Sequence, residues 1–398
     1  MTNEEYIERH RSDDVRKLAL SRIPEGIDAL WCMQQIEGWQ TAKKKLPLWA
    51  QTKGLWFPPR LAMEQCSSEP TAQYKLHTVE RLLADKKKRN TLVDLTGGFG
   101  VDFSFIASVF RNAVYVEKQL ELCRIAEHNF SLLGIDNVEV ICADCISYLR
   151  SCQSNISLVY LDPARRDEAR RKMVALEDCS PNIVEMQDSL LKKASFAMVK
   201  LSPMLDISMA LRKLNTVKEV HVVSVRGECK ELLFILGNNN VETTIHCVNL
   251  ETKDSDIVFA LGDCTKIPVE LFDEMGVFLY EPNASVLKAG LQDHVAYNLD
   301  LAKLHCDSHL YTSNRYREDF PGRIFRVEDM CSFAKRELRE MLSGTEQANI
   351  TIRNFPATTE ELRKRLKLRE GGHIYLFATT LADGHHALIK CVKATDNS

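Results

Sequence analysis

The chain has 398 residues, of which 45% are hydrophobic and 27% are charged, as is typical of a globular protein with more than one domain. Its formal net charge of only −3 excludes an acidic disordered chain and a uniformly basic nucleic-acid clamp. No apolar run approaches the roughly 20 residues of a membrane span, and the polar N-terminus is unlike a signal peptide. We therefore expect a cytoplasmic protein with no membrane partner.

The first 88 residues are predicted to form a helical region. Proline and glycine interrupt this region at Pro24–Gly26 and at Pro58–Pro59. Ser68 followed by Pro70 indicates the start of a helix, because proline is favoured in the first helical turn.

From Thr91 onward, strands alternate with helices. The predicted strands are short apolar runs at residues 91–95, 113–117, 138–142, 157–161 and 196–200. Helical segments are predicted at residues 102–110, 119–133 and 181–193. This alternation indicates β-α-β units and a parallel sheet with helices on both faces. Two further strands, at residues 219–225 and 231–236, are close enough in the chain to predict an antiparallel hairpin beside that sheet.

The C-terminal part has a different pattern. Residues 268–310 read as a short acidic α+β stretch, and strands are predicted at 350–353, 373–379 and 386–392. Thr358 and Glu361 have the spacing of a capping box and indicate a helix that extends to Leu366.

A glycine-rich turn follows the first strand of the α/β part, where Asp94 precedes Gly97, Gly98 and Gly100. Glycines let the backbone approach a ligand closely, and the helix that follows offers free N–H donors. The dinucleotide pattern G-x-G-x-x-G is incomplete because Phe103 occupies the third glycine position. No Gly-Lys-Ser/Thr follows, which excludes a P-loop. Taken alone, the motif also fits a plain tight turn.

Acidic residues end four successive strands, namely Asp94, Glu117, Asp144 and Asp162. At the end of the second strand, Glu117 can accept hydrogen bonds from both hydroxyls of a ribose. A carboxylate at Asp144 can hold an adenine amino group. Because ligands of open α/β sheets bind at the carboxyl ends of the strands, we expect these four carboxylates along one ligand-binding edge. Four unrelated surface acids are the alternative.

The 13 cysteines do not match a disulfide or metal framework. Cys142 and Cys145 have C-x-x-C spacing and are followed by Cys152 and Cys179, but a zinc ribbon needs a second tight pair. An iron–sulfur motif would need three closely spaced cysteines. We therefore expect buried strand cysteines and no metal.

The order of these motifs resembles the class I S-adenosylmethionine-dependent methyltransferases over about residues 88–240. Several stretches resemble, more narrowly, one bacterial family of methyltransferases that has a C-terminal THUMP-like domain. These stretches are Glu64–Ser68 with Thr71, Tyr74 and Lys75, then Asp94–Asp102, Asp162–Arg166 and Lys200–Asp206.

The resemblance implies a Rossmann-like, seven-stranded α/β core with attached domains. The expected boundaries are a helical N-terminal region at 1–88, a methyltransferase domain at 89–262, a small ferredoxin-like domain at 263–315 and a THUMP-like RNA-binding domain at 316–398. THUMP domains are associated with structured RNA, so a tRNA or rRNA partner is implied.

The resemblance also implies S-adenosyl-L-methionine as the cofactor. The residues expected to hold it are Asp94, Thr96, Gly97, Gly98, Phe99, Gly100, Glu117, Lys118, Asp144 and Cys145.

Five residues are expected to be catalytic, namely Asp162, Pro163, Arg165, Lys200 and Ser202. Similar enzymes that methylate base amino groups carry Asp/Asn-Pro-Pro followed by an aromatic residue, whereas this chain has Asp162-Pro163-Ala164-Arg165. The planar Arg165 can stack on a base or bind a phosphate. Asp162 would orient the acceptor or take its proton. Lys200 and Ser202 would flank the pocket, although this segment is also compatible with a helix cap.

The acceptor is expected to be a base nitrogen. Uracil C5 enzymes carry the more similar Asp-Pro-Pro-Arg, but they need a downstream nucleophilic cysteine, and no cysteine after Lys200 lies in a matching motif. Two other functions stay open: methylation of a protein or small molecule, and a non-catalytic RNA-binding role. Basic patches at 165–172, 315–326 and 363–369 are candidates for phosphate contact, although charge runs also occur on solvated surfaces.

Overall fold

The chain divides into two compact units in a computed structural model. The structure describes residues 1–152, 155–165, 176–238, 242–253, 256–263 and 267–394. The first unit comprises Met1–Val220 and Glu231–Val241, and the second comprises His221–Lys230 and Glu242–Ser398. Within the described residues, no helix combines the length and the apolar character that a membrane span requires.

The N-terminal region of the first unit is helical, as predicted. Its helices are α1 (Asn3–His10), α2 (Val15–Ala19), α3 (Ala29–Lys45), α4 (Pro47–Gln51), α5 (Arg60–Gln65) and α6 (Glu69–Leu82). Ser68 is the N-cap of α6 and Pro70 lies in its first turn, where a missing N–H removes no helical hydrogen bond. Trp49 and Phe57 pack against Phe99. Since Phe99 belongs to the glycine-rich turn, the helical region packs directly against that turn.

The α/β core follows in chain order. Its elements are β1 (Thr91–Asp94), α7 (Val101–Ala107), β2 (Asn112–Glu117), α8 (Leu120–Leu132), β3 (Val138–Cys142), α9 (Cys145–Ser151), β4 (Ile156–Leu161), β5 (Ala164–Arg165), β6 (Cys179–Ser180), α10 (Ile183–Lys193), β7 (Ala194–Leu201), α11 (Ile207–Lys213), β8 (Val217–Val225) and β9 (Glu228–Gly237). Strands β1 to β4 and β7 run parallel, and β9 pairs antiparallel with β7. The apolar side chains of β1, β2, β4 and β7 are mostly buried, because helices cover a parallel sheet on both faces. Those of the edge strand β3 are partly exposed.

Seven strands of the core lie in the order β3-β2-β1-β4-β7-β9-β8, which confirms the predicted α/β class. β8 and β9 form the predicted hairpin. Its turn residues, Arg226 and Gly227, have φ angles of 52° and 80°, as a tight hairpin turn requires. The neighbours of β1 are β2 on one side and β4 on the other. The chain therefore reverses its direction across the sheet at β1, and such a switch point opens a crevice at the carboxyl ends of the strands.

The second unit contains the remaining elements. They are β10 (Thr244–Leu250), β11 (Ile257–Ala260), β12 (Phe278–Pro282), α12 (Ala284–Ala289), α13 (Gln292–Asn298), β13 (Ala302–Lys303), β14 (Tyr311–Ser313), β15 (Gly322–Ser332), α14 (Lys335–Met341), β16 (Asn349–Arg353), α15 (Thr359–Leu366), β17 (Ile374–Thr380) and β18 (His386–Lys393). β10 lies beside β8 and pairs antiparallel with β11.

A separate sheet of seven strands dominates the second unit, in the order β13-β14-β12-β15-β18-β17-β16. Phe325 on β15 and Phe377 on β17 are fully buried and pack edge to face at 4.9 Å. Thr358 and Glu361 form the predicted capping box of α15.

Candidate active site

A cavity of about 400 Å³ opens at the carboxyl ends of β1 to β4 in the first unit. Its position is the crevice that the switch point of the sheet creates, and its size is that of a small-molecule site. Residues of the glycine-rich turn line it. Residues from the segment 62–67 of the helical region and from the segment 180–186 before and within α10 form further parts of the wall. All ten residues expected to hold the cofactor line this cavity.

Glycine is required at two positions of the turn. A Cβ atom on Gly97 would collide with the ring of Tyr115, and one on Gly100 would lie 2.8 Å from the ring of Phe130. Gly100 also has a φ of 79°, a left-handed conformation that disfavours side chains. The Tyr115 hydroxyl donates a hydrogen bond to the Gly98 carbonyl. Aromatic side chains below the turn thus fix the backbone that faces the cavity.

Asp94, at the end of β1, is almost completely buried. Its Oδ1 accepts a hydrogen bond from the Thr96 backbone N–H at 2.8 Å. The Thr96 hydroxyl in turn accepts one from the backbone N–H of Asp162 at 2.6 Å. Burial raises the pKa of Asp94 well above its ordinary value, and the neighbouring carboxylates act in the same direction. Asp94 therefore joins the ends of β1 and β4 and is held in an environment that disfavours its charged form.

Glu117, at the end of β2, uses both carboxylate oxygens to organise the backbone. Oε2 accepts a hydrogen bond from Gly98 N at 3.0 Å, and Oε1 accepts one from Gln119 N at 2.9 Å. Because each carboxylate oxygen has two acceptor sites, Glu117 retains capacity for donors from a ligand. Lys118 lies beside it in the cavity wall.

Asp144 is exposed and is the N-cap of α9. Its Oδ1 accepts hydrogen bonds from the backbone N–H groups of Ile146 and Ser147, at 3.1 and 3.0 Å. The cap fixes the orientation of the carboxylate, and Oδ2 is left to interact with a ligand. Cys145 is the first residue of the capped helix and also lines the cavity.

Asp162 follows β4, lines the cavity and is half-buried. Its Oδ2 accepts a hydrogen bond from Lys200 Nζ at 2.6 Å. Burial acts to lower the pKa of Lys200, but the carboxylates of Asp162, Asp102 and Glu231 outweigh burial and raise it. Lys200 is therefore a firmly protonated ammonium that fixes one oxygen of Asp162 and leaves the other for a ligand.

The other three residues expected to be catalytic are Pro163, Arg165 and Ser202. Within the described part of the chain, Pro163 and Ser202 are not among the residues that line the cavity. Pro163 is buried between two lining residues. Ser202 is exposed, and its hydroxyl accepts a hydrogen bond from Met204 N at 3.2 Å, so it shapes a turn and is not among the residues that line the cavity. That segment is not a helix cap either, because Asp206 caps α11. The Arg165 side chain and residues 166–175, with the basic patch predicted there, lie outside the described part of the chain.

A buried charge cluster beside the cavity was not predicted to be part of the site. Lys75 on α6 is fully buried, with its Nζ atom 3.1 Å from Asp102 Oδ1 and 2.6 Å from Glu231 Oε1. The hydroxyls of Ser67 and Tyr160 donate to Asp102 Oδ2 at 2.7 and 2.6 Å. Although burial opposes it, the Lys75 ammonium helps to lower the pKa of Asp102, whereas burial raises the pKa of Glu231.

Three residues of this cluster, Ser67, Asp102 and Tyr160, also line the cavity. The sequence did contain a signal for the cluster, since Ser67 and Lys75 belong to the stretches that carry the family resemblance. No pattern in the sequence connects them with Glu231, which follows 156 residues after Lys75.

The cysteines only partly match the expectation of buried strand residues. Cys152 and Cys179 are buried, but Cys142 is exposed at the end of β3 and Cys145 is partly exposed in α9. In the second unit, His305, Cys306 and Asp307 could in principle reach one metal ion. The Nδ1 atom of His305 already lies 3.0 Å from Asp307 N, so the loop is organised by its own hydrogen bonds.

The basic patches of the tail are partly engaged in ion pairs within the chain. The described pairs join Arg317 to Asp300, Arg323 and Arg353 to Glu281, Arg326 to Glu328, Arg363 to Glu370 and Arg369 to Glu346. Lys364 and Lys367 on and after α15 are exposed and form no ion pair within the described residues. They are the strongest candidates of this patch for phosphate contact.

Comparison with known proteins identifies two domains in the second unit. A model described as a ferredoxin-like domain matches residues 278–321, and a model described as a THUMP domain-like family matches residues 322–393. No curated protein matches the sequence significantly.

Solved structures match the chain at very different levels. An rRNA methylase from Streptococcus thermophilus is 15% identical with a TM-score of 0.32, and the match covers 41% of this chain and 97% of that one. TrmK from M. capricolum, in complex with S-adenosyl-homocysteine, is 12% identical with a TM-score of 0.32, covering 45% of this chain and 71% of that one.

The match to a crystal structure from Porphyromonas gingivalis W83, described as that of a candidate methyltransferase, extends over almost the whole molecule. It covers 99% of this chain and 98% of that one, with 34% sequence identity and a TM-score of 0.86. Together with the two C-terminal domains and the strand order of the core, this match shows that the chain belongs to the bacterial family of methyltransferases that carry a C-terminal THUMP-like domain.

Proposed function

We propose that the protein transfers a methyl group from S-adenosyl-L-methionine to a base nitrogen of structured RNA, a tRNA or rRNA, in the cytoplasm. One observation supports this most strongly: the ends of four successive parallel strands place Asp94, Glu117, Asp144 and Asp162 in the wall of one cavity. A cofactor with ribose hydroxyls, an adenine amino group and an ammonium group offers hydrogen-bond donors that suit the first three of these carboxylates, and Asp162 is left for the acceptor.

The carboxylate acceptors of the cavity match hydrogen-bond donors of the cofactor. Glu117 would accept hydrogen bonds from the ribose hydroxyls, and Asp144 from the adenine amino group. The glycine-rich turn allows close approach because side chains at Gly97 and Gly100 are excluded. When bound, S-adenosyl-L-methionine supplies an electrophilic methyl group on a sulfonium. The residues of the chain then need only to align the acceptor with that group and to accommodate a proton.

Asp162 is the residue that we assign to the acceptor. Lys200 holds its Oδ2, so Oδ1 can accept a hydrogen bond from an N–H group of the acceptor base and orient its nitrogen. Two cysteines line the cavity, Cys66 and Cys145. Burial raises the pKa of both thiols, and a neutral thiol is a poor nucleophile. This chemistry supports a nitrogen acceptor over the covalent route of the uracil C5 enzymes.

RNA is favoured as the acceptor by the THUMP domain-like match at 322–393 and by the exposed lysines on and after its α15 helix. Methylation of a protein or a small molecule through the same cavity is the alternative. Labelled methyl transfer from the cofactor to total RNA and to total protein separates the two, and label in protein alone would overturn the RNA assignment.

Cofactor binding can be tested by titration calorimetry with S-adenosyl-L-homocysteine. We expect binding by the wild-type chain and a loss of at least about tenfold in Glu117→Ala, since two or more hydrogen bonds to a charged group are removed. Asp188→Ala is the matched control, because Asp188 is exposed on α10 and is not among the lining residues. Absence of binding by the wild-type chain would contradict the proposal.

The modified nucleoside can be found by mass spectrometry of RNA from a deletion strain. One methylated base should be missing, and it should return when the wild-type gene is restored but not with Asp162→Ala. If Asp162→Ala restores the base while charge reversal at residues 363–369 abolishes RNA binding, a non-catalytic RNA-binding role would replace this one.

A further inference from the structure

The segment 62–67 of the helical region ends on the buried charge cluster. Ala62, Gln65, Cys66 and Ser67 line the cavity. The Ser67 hydroxyl donates to Asp102 Oδ2 at 2.7 Å and accepts a hydrogen bond from Lys75 Nζ at 3.1 Å. The C-terminal end of this segment is therefore fixed by a carboxylate on α7 and an ammonium on α6.

A second lysine holds the same segment by its backbone. Lys45, the last residue of α3, donates from Nζ to the carbonyls of Met63 and Glu64 at 3.0 and 2.8 Å. These carbonyls lie in the last turn of α5, where no further helical N–H is available to them. The Met63 carbonyl also accepts a hydrogen bond from Cys66 Sγ at 3.2 Å. Lys45 therefore joins the end of α3 to the last turn of α5.

Stability alone does not explain the cluster. Taking charges out of water is costly, and apolar side chains of the same volume are often as stabilising as a buried ion group. A buried ionic network can, by contrast, specify one arrangement of the elements it joins. In this network Asp102 Oδ1 and Glu231 Oε1 accept no hydrogen bond and are balanced by their ion pairs with the Lys75 ammonium. Here the network joins α6, α7 and β9 through Lys75, Asp102 and Glu231, and it reaches the cavity through Ser67 and Tyr160.

We propose that Lys75 and Ser67 are positioning residues that hold the 62–67 segment as a fixed wall of the ligand cavity. The N-terminal helical region is then a structural part of the binding site. This inference rests on the proposed function in one respect only, which is the choice of S-adenosyl-L-homocysteine as the ligand that probes the cavity.

Hydrogen–deuterium exchange of the full chain tests the inference without any ligand. Ser67→Ala removes the hydroxyl that joins the wall to the cluster and leaves every charge in place. Its matched control is Ser104→Ala, because Ser104 is also buried, lies on the same helix as Asp102 and donates only within that helix, to the Val101 carbonyl. We expect amides of 62–67 to exchange about tenfold faster in Ser67→Ala, since one hydrogen bond is removed, and to be unchanged in Ser104→Ala.

Lys75→Met is the stronger variant, and Arg89→Met controls for general destabilisation. Arg89 is buried in the same unit and donates to the carbonyls of Leu83 and Glu80, away from the cavity. Lys75→Met should accelerate amide exchange in 62–67 more than Ser67→Ala does. Arg89→Met should not accelerate exchange in 62–67 relative to the rest of the first unit. Equal exchange of 62–67 in each variant and its control would overturn the inference.

Titration with S-adenosyl-L-homocysteine adds a second readout. The dissociation constant should rise about tenfold in Ser67→Ala, because a mobile wall must be ordered on binding, and should be unchanged in Ser104→Ala. If the wild-type chain binds no S-adenosyl-L-homocysteine, the proposed function fails, and exchange of 62–67 still decides the positioning role. If binding is equal in both variants while the wall is released, the wall has no part in binding and the inference is wrong.

Discussion

Each unit of the molecule contains a group of three charged side chains. In one group a cation lies between two anions, and in the other an anion lies between two cations. In the first unit a buried lysine, Lys75, lies between the carboxylates of Asp102 and Glu231. In the second unit a buried carboxylate, Glu281, lies between the guanidinium groups of Arg323 and Arg353. The arginines are 48% and 39% exposed, whereas Lys75 is fully buried.

The surroundings of the two groups explain what each one does. Glu281 on β12 is the register partner of Arg323 on β15, and Arg353 lies at the end of β16, so this group links strands of one sheet. The Lys75 group reaches a cavity wall through Ser67 and Tyr160. The two ion groups thus have different roles. The Glu281 group is a structural link within a sheet, whereas the Lys75 group contacts residues of the ligand cavity.

The largest effect is expected at the cavity of the first unit. Asp162→Ala should lower kcat for methyl transfer to RNA by about 100-fold or more, the range for loss of a group that orients or deprotonates the acceptor. Binding of S-adenosyl-L-homocysteine should change little, because Asp162 is assigned to the acceptor. Transfer assays and calorimetry measure the two effects, with Asp188→Ala as the control. A proportional loss of cofactor binding would assign Asp162 to the cofactor instead.

The second unit should lose stability when its ionic group is broken. Glu281→Gln leaves two arginines without their carboxylate, and because both are partly exposed we expect a loss of about 2 kcal/mol in the free energy of unfolding. Urea denaturation followed by exchange in β12 and β15 measures this loss. The exposed pair of Glu346 with Arg369 provides the control, Glu346→Gln. Unchanged stability of the second unit would show that the Glu281 ion group does not contribute to its free energy of unfolding.

Burial of Asp94 predicts a pH dependence in the first unit. Because its pKa is raised by folding, its contribution to stability is complete below the pKa of the unfolded chain and decreases as the pH rises towards the folded value. Asp94→Asn should therefore raise the free energy of unfolding at neutral pH by about 1 kcal/mol and weaken its pH dependence. Unfolding curves between pH 4 and pH 8, with the exposed Asp136→Asn as control, test this sign. A variant less stable than the wild type at neutral pH would contradict it.

The smallest effect is expected on the surface of the second unit. Charge reversal in Lys364→Glu with Lys367→Glu should weaken RNA binding and reduce the salt dependence of log K by about 1 for each phosphate that the protein no longer neutralises. Lys86→Glu with Lys88→Glu changes the net charge equally on exposed residues of the first unit. Filter binding at several salt concentrations compares the two. Equal weakening in both variants would indicate a general charge effect and not a phosphate site on α15.

The sequence predicts those features that depend on residues close together in the chain. The acidic residues from Asp94 to Asp162 and the α15 capping box follow from periodicity and spacing. Asp94 and Glu117 end β1 and β2, Asp162 directly follows β4, and Asp144 lies two residues beyond β3 as the N-cap of α9. Ser202 was placed at the pocket because it follows a strand end, but a turn directs its hydroxyl to Met204 N. Lys75 and Glu231 could not be paired, because their contact depends on how α6 packs on the sheet and not on any spacing along the chain.

The seven-stranded sheet of the second unit crosses the boundary between two sequence families. The ferredoxin-like match ends at residue 321 and the THUMP domain-like match begins at 322, yet β12 of the first is hydrogen-bonded to β15 of the second from Phe278 opposite Arg326 to Pro282 opposite Gly322. Separating the families at this boundary would expose two unpaired strand edges, which invite aggregation. The two matched segments therefore share one sheet, and a truncated chain that ends at residue 321 should lose the pairing that holds β12.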